Sequence, residues 1–187
     1  MAKNSEEYLK AIITDKKEGK VFVDILTKNE IISKEFKGED FEIGQAVNIS
    51  NGKIKPENKE PDKVKNIKNF FNDVLDSVKR DLKTLNSENC SEMAQETREM
   101  IDKYSQVMYC SKHNITNNRV ESFNKAVIEN SEGLQELDSI SYRAEKLEEK
   151  IRNNSQTEAS QEIEKLQDSI EEFKEDTKKQ EQGLTNK

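Results

Sequence analysis

Tryptophan is absent from the 187-residue chain, histidine occurs once, and cysteine and proline occur twice each. Each shortage excludes a kind of chemistry. With His113 alone, neither a histidine pair nor a His-rich metal centre can be assembled. Cys110-Ser-Lys-His113 is half of a zinc-like spacing, but Cys90 lies 20 residues upstream. A site of two cysteines and one histidine would still lack a fourth ligand. Read as nucleophile and base, Cys110 and His113 lack the glycine-containing loop that supplies an oxyanion pocket. The chain has six glycines, none of them near either cysteine. No Gly-rich phosphate cradle of the G-x-G-x-x-G or P-loop kind occurs. The acidic run Glu171–Asp176 lacks the glycine and alternating aspartates of a calcium loop and reads as the solvated side of a helix. The expectation is a protein without catalytic residues, metal or cofactor.

Two cysteines are also too few for a disulfide framework. The opening residues MAKNSEEYLK contain no apolar segment of the secretory kind, and no run approaches the ~18 apolar residues that span a bilayer. The chain is accordingly expected to be cytoplasmic, with reduced thiols and no membrane contact. Sequons at Asn48, Asn114 and Asn153 read as chance matches in a chain rich in Asn and Ser.

Charged residues make up 37% of the sequence and hydrophobic ones only 32%. That balance suits long thin helices with a narrow apolar seam better than a large monomeric core. The net charge of −7 is unevenly placed: residues 121–187 carry 10 basic and 17 acidic side chains, whereas residues 1–120 balance at 21 each. A polyanion is repelled by the acidic second part, so any nucleic-acid contact falls to the first.

In residues 1–55 the apolar residues come in short bursts. Tyr8–Thr14 and Val21–Leu26 flank a polar loop containing Gly19, followed by Ile31–Phe36, Phe41–Ser50 and a short return after Asn51-Gly52, the strongest hairpin dipeptide present. Five strands in this span predict a small antiparallel β-barrel or curled sheet, with Gly44 at a bulge or sharp bend. Its proposed inner face is Leu9, Ala11, Ile13, Val21, Val23, Ile25, Ile32, Phe36, Phe41, Ile43, Val47, Ile49 and Ile54. Small barrels bind single-stranded nucleic acid through aromatic platforms beside basic residues, and Tyr8, Lys10, Phe22 and Lys34 are the candidates here. Against that use, residues 1–60 carry 11 basic and 12 acidic groups, with no basic excess.

Pro56 and Pro61 bracket a polar linker, 56–61. The region 62–182 then reads as mainly helical, coiled-coil-like, arranged as a hairpin or bundle, with a disordered tail at 183–187. Val64, Ile67, Phe71, Val74, Val78, Leu82 and Leu85 recur three and four apart and predict a helix over 62–86. Helices are also expected over 91–111, with Met93, Met100 and Met108 on one side, and over 118–152 and 156–180. Ser155 and Glu158 suggest a capping box at the last restart, and Glu148 with Arg152 an ion pair one turn apart. Ile163, Leu166, Ile170 and Phe173, with Leu147 and Ile151, form seams lean enough to want a partner helix.

The architecture expected is thus α+β: a small N-terminal antiparallel β-barrel or curled sheet followed by a helical region. The function expected is a non-enzymatic interaction or structural protein. Its helical seams would self-associate into a homo-oligomer or dock a protein partner, with the β module as cap or protein-binding head. The alternative is a nucleic-acid binder whose β module is carried on a helical oligomerisation stalk.

Overall fold

The computed structural model describes residues 8–28, 30–38, 40–57, 62–113 and 131–174. Over these the protein is α+β, with five antiparallel strands followed by four helices. Strand β1 (Tyr8–Lys17), β2 (Lys20–Thr27) and β3 (Ile31–Lys37) form one sheet in that order, and β4 (Val47–Ser50) pairs with β5 (Lys53–Pro56) in a second. Both tight hairpins use two residues at positive φ: Glu18 and Gly19 at 52° and 74°, Asn51 and Gly52 at 51° and 72°. That backbone matches the twist of the strands it joins, which is why Asn-Gly is so strong a hairpin signal.

The expected barrel does not close. An isolated bridge from Ile12 to Ala46 and a bond from the Ile13 N–H to the Gln45 carbonyl (3.0 Å) tie β1 to the segment before β4. Among the described residues no ladder returns from β5 to β3. The anticipated strand 41–50 is regular only from Val47, because Ile43 and Gly44 form a turn. Gly44, at φ 91°, donates its N–H to the Ile13 carbonyl at 2.8 Å. A Cβ there would stand 2.5 Å from the Ser111 hydroxyl and 3.0 Å from the Lys63 carbonyl, so the bend is also the point of closest approach to the helices. Ile43 consequently turns into the helical core instead of the inner face of the sheet. Pro56 does not end the strand beforehand; it pairs with Val47 as the last residue of an edge, where a missing N–H does no harm.

Helix α1 (Lys63–Asp81) starts one residue later than expected, because Asp62 is its cap, accepting the Lys65 N–H at 3.1 Å. It tightens into a 3-10 turn, Leu82–Thr84. α2 runs Cys90–Lys112, α3 Ser131–Arg152 and α4 Gln156–Glu171. The expected beginning of the third helix, 118–130, lies outside the described residues, as do the stretch expected to continue the fourth past 174 and the tail at 183–187. The turn between α3 and α4 is closed by Asn154 at φ 57°, with the Ser155 N–H on the Lys150 carbonyl (2.9 Å) and the Asn154 N–H on the Ile151 carbonyl (3.0 Å). This left-handed cap takes the place of the capping box: the Ser155 side chain makes no capping bond, and Glu158 instead meets Lys150 at 3.0 Å.

The four helices form a bundle, not a hairpin of two long rods. α2 packs on α1 and α3, and α4 on α3 and α1. The stripe of α1 (Val64, Ile67, Phe70, Phe71, Val74, Leu75) closes over Ile101, Tyr104, Val107 and Met108 of α2. Met93 and Met100 pack at its margin. Ile12, Leu26 and Ile43 belong to this same cluster, so the apolar interior runs across the 56–61 boundary. The other face of the sheet holds a second, smaller core of Ala11, Ile13, Val21, Val23, Ile25 and Val47. Among the described residues no helix is long and apolar enough to cross a membrane.

Closure of α4 on α1 is polar at its rim and anchored at one end. The buried Lys68 ammonium donates to the carbonyls of Glu171 (2.9 Å) and Phe173 (3.1 Å), the unpaired end of α4. Further along, Gln167 donates to Asp76 at 2.7 Å and Lys79 meets Glu164 at 2.7 Å. The hydrogen bond and charge of Lys79 hold the Glu164 carboxyl below its ordinary pKa. Because the folded value is the lower one, the pair favours the folded state above the unfolded pKa and loses that effect as pH falls through the folded one.

Two outcomes follow from this packing. Leu166→Ala should cost about 2–5 kcal/mol in urea denaturation while the mass by light scattering stays that of the natural protein; a small cost with a change of mass would mean the seam faces another molecule. In Lys79→Met, the Glu164 carboxyl should titrate at higher pH in a carbon-detected NMR titration, and an unmoved midpoint would show that the contact is not populated.

Candidate functional site

Sheet and bundle meet at a carboxylate. Asp24 occupies the middle strand on the side of the sheet facing the helices and is fully buried. Its Oδ1 accepts the Ser33 hydroxyl at 2.7 Å and the Thr14 hydroxyl at 3.4 Å, from the strands on either side. Its Oδ2 accepts the Tyr104 hydroxyl at 2.8 Å and the Lys103 ammonium at 2.6 Å, both from α2. A buried carboxylate is tolerable only when its lone pairs are engaged and its charge is answered, and here both conditions are met. Tyr104 is itself held between Phe70 and Phe71, ring centroids 5.5 and 5.7 Å away. One face of the sheet is therefore fixed to the bundle and unavailable for binding.

The opposite face is covered only in part. The hairpin β4–β5 lies over it, but Ile32, Phe36, Phe41, Ile49 and Ile54 are only partly buried around the small core. Antiparallel register puts Lys34 across from Val23 and so on this same face, between Ile32 and Phe36, where it is exposed. Among the described residues Lys34 forms no ion pair. Glu35, facing the other way, is taken by Lys20 at 2.6 Å, and that contact raises the Lys20 pKa. β3 is the outer strand of its sheet. This open side of the β module, an apolar row interrupted by one cation, is the candidate site.

The nucleic-acid set divides between the two sides. Lys10 pairs across from Leu26 and Phe22 across from Asp15, both on the helix side, and Lys10 is engaged by Asp73 of α1. Lys34 is on the other side. Tyr8 pairs through its backbone with Thr27, and its side chain is outside the described residues. Lys10, Phe22 and Lys34 thus do not make one platform, because parity along β2 separates them.

The six seam residues are likewise not free. Leu147, Ile151, Ile163, Leu166 and Ile170 are 0% exposed and Phe173 1% within the single chain. Their company comes from the chain's own helices, so assembly through them would require the bundle to open. Cys90 and Cys110 are both thiols at opposite ends of α2, ~30 Å apart at 1.5 Å per residue. Cys110 is buried, and His113 caps the helix with its ring 4.3 Å from that of Tyr109. Among the described residues no three His, Cys, Asp or Glu side chains gather in a way that could hold a metal. A shallow cleft of about 570 Å³ is lined by Glu18, Gly19, Lys20, Lys37, Gly38 and Asp40.

Asp24 was the residue sequence reasoning missed. In VFVDIL it occupies the polar phase of an alternating strand, which ordinarily means solvent. The available signal was that Leu26 and Ile12, at the same phase, are apolar. No family model matches the chain, and comparisons with curated proteins and with solved structures find no match.

The clamp is measurable. Asp24→Ala, leaving the partners of the carboxylate buried, should cost about 3–5 kcal/mol, and Tyr104→Phe about 1–3 kcal/mol. A double-mutant cycle in urea should show the two to be coupled. Independent, additive effects would mean that this hydrogen bond does not join the sheet to the bundle.

Proposed function

We propose that this protein is a non-enzymatic interaction module in which the β module is the protein-binding head and the helical bundle its rigid base. The observation that carries the reading is the unequal treatment of the two faces of the sheet. One is locked to α2 by Asp24 with all donors in place. The other leaves five apolar side chains only partly buried around an exposed lysine. Apolar surface held open by a rigid support is what association with another protein uses, since the cost of ordering the binding surface has already been met in folding. Self-association through the helical seams receives less support, because those side chains are already covered within one chain. The nucleic-acid alternative receives less as well, because its three describable residues lie on two faces and Lys10 is engaged by Asp73.

The test compares two surface variants of the whole chain as affinity baits in extract of its source cells. Phe36→Ser with Ile54→Ser should lose the proteins that the natural chain retains, while its melting temperature stays within a few degrees. Glu96→Gln with Glu99→Gln, on the exposed side of α2, should keep them. Retention of the same proteins by both variants, or of none by the natural chain, would overturn the reading.

A further inference from the structure

Resting on that reading, we infer that the outer edge of β3 takes up an extended acidic segment of a partner as an added strand. The segment's recognised pattern is apolar, any residue, carboxylate, any residue, apolar. Three observations lead there. β3 is seven residues long and is paired on one side only among the described residues. An outer strand offers a row of backbone donors and acceptors to any extended chain that approaches it. Of the other outer strands, β1 is tied at Ile12 and Ile13 to the segment before β4, and β4 and β5 are four residues each, β5 ending in Pro56.

The side chains then set the pattern. Residues two apart share a face, so Ile32, Lys34 and Phe36 point together to the open side. A strand laid beside β3 brings three alternate side chains of its own alongside them. Apolar groups extend the partly buried contacts of Ile32 and Phe36 with the small core. The central position meets the Lys34 ammonium, which has no ion pair among the described residues and whose neighbour Glu35 is engaged by Lys20 on the far face. A carboxylate there is attracted; a cation is repelled.

The same lysine argues against a second copy of this chain as occupant. Two β3 strands paired antiparallel over all seven residues, each keeping its open face on the same side, bring Lys34 opposite its own equivalent. Like charges directly across a sheet are unfavourable. One residue thus discourages edge-to-edge self-pairing and selects an acidic partner.

The experiment uses the whole chain and two synthetic nine-residue peptides of alternating threonines. One has valine, glutamate and valine at its third, fifth and seventh positions; the other has lysine in place of the glutamate. Amide chemical shifts followed to millimolar peptide should change chiefly over Ile31–Lys37. The glutamate peptide should bind roughly two- to fivefold more tightly, the range spanned by cross-strand charge pairs. Lys34→Glu should reverse that preference. Absence of shifts at β3, or a preference unaltered in Lys34→Glu, would overturn the inference. Either result would leave the broader reading to its own test, since loss of retention in Phe36→Ser with Ile54→Ser does not depend on strand addition.

Discussion

The fold depends on one buried negative charge. Asp24 gathers hydroxyls from both neighbouring strands and a hydroxyl and an ammonium from α2, so a single carboxylate joins all three strands of its sheet to the bundle. Apolar contact alone would let the two layers slide, because burial is nearly indifferent to direction. Hydrogen bonds are directional, and inside a dry interface an unmet one is costly. The layers are therefore held in one arrangement, and the remaining cores, the Gly44 contact and the open side follow from where that arrangement leaves each strand.

Much of this architecture was legible in the residues. The strands of the first sheet, the Asn51-Gly52 turn and the inner face of Ala11, Ile13, Val21, Val23 and Ile25 follow from alternation and hairpin chemistry, whereas the polar loop expected over 15–20 closes to the two-residue turn Glu18-Gly19. The helix over 63–81 follows from a 3-4 spacing strong enough to survive any context. What was not legible came from contacts distant in sequence. The bend at Gly44 was announced by a glycine inside a strand, but the close approach of α1 and α2 at that point was not. The seams through Leu166 and Ile170 looked too lean to be covered by the chain itself. They are covered because four helices share one interior and the sheet adds Ile12, Leu26 and Ile43 to it, so no single helix needs a broad stripe.

The candidate site shows the same division. Phe36 and Ile54 were readable as inward-facing positions, but that they are only partly buried depends on the barrel remaining open, a property of closure and not of pattern. Residue type alone groups Lys34 with Lys10 and Phe22, whereas the fold separates them. The face of Lys34 is fixed by pairing with Val23, which one-residue parity decides, and the same parity sets it apart from Lys10 and Phe22. A side chain's role here is determined less by its type than by which of two faces the register gives it.

Lys68 reaches across 103 and 105 residues of chain to the carbonyls of Glu171 and Phe173. During synthesis, α1 leaves the ribosome long before α4 exists, so for that interval its ammonium is without the two carbonyls that later accept from it. The last turn of α4 acts as a latch that arrives late. Until it does, the nascent bundle is a three-sided vessel, and its window of exposure is set by the translation time of those hundred residues.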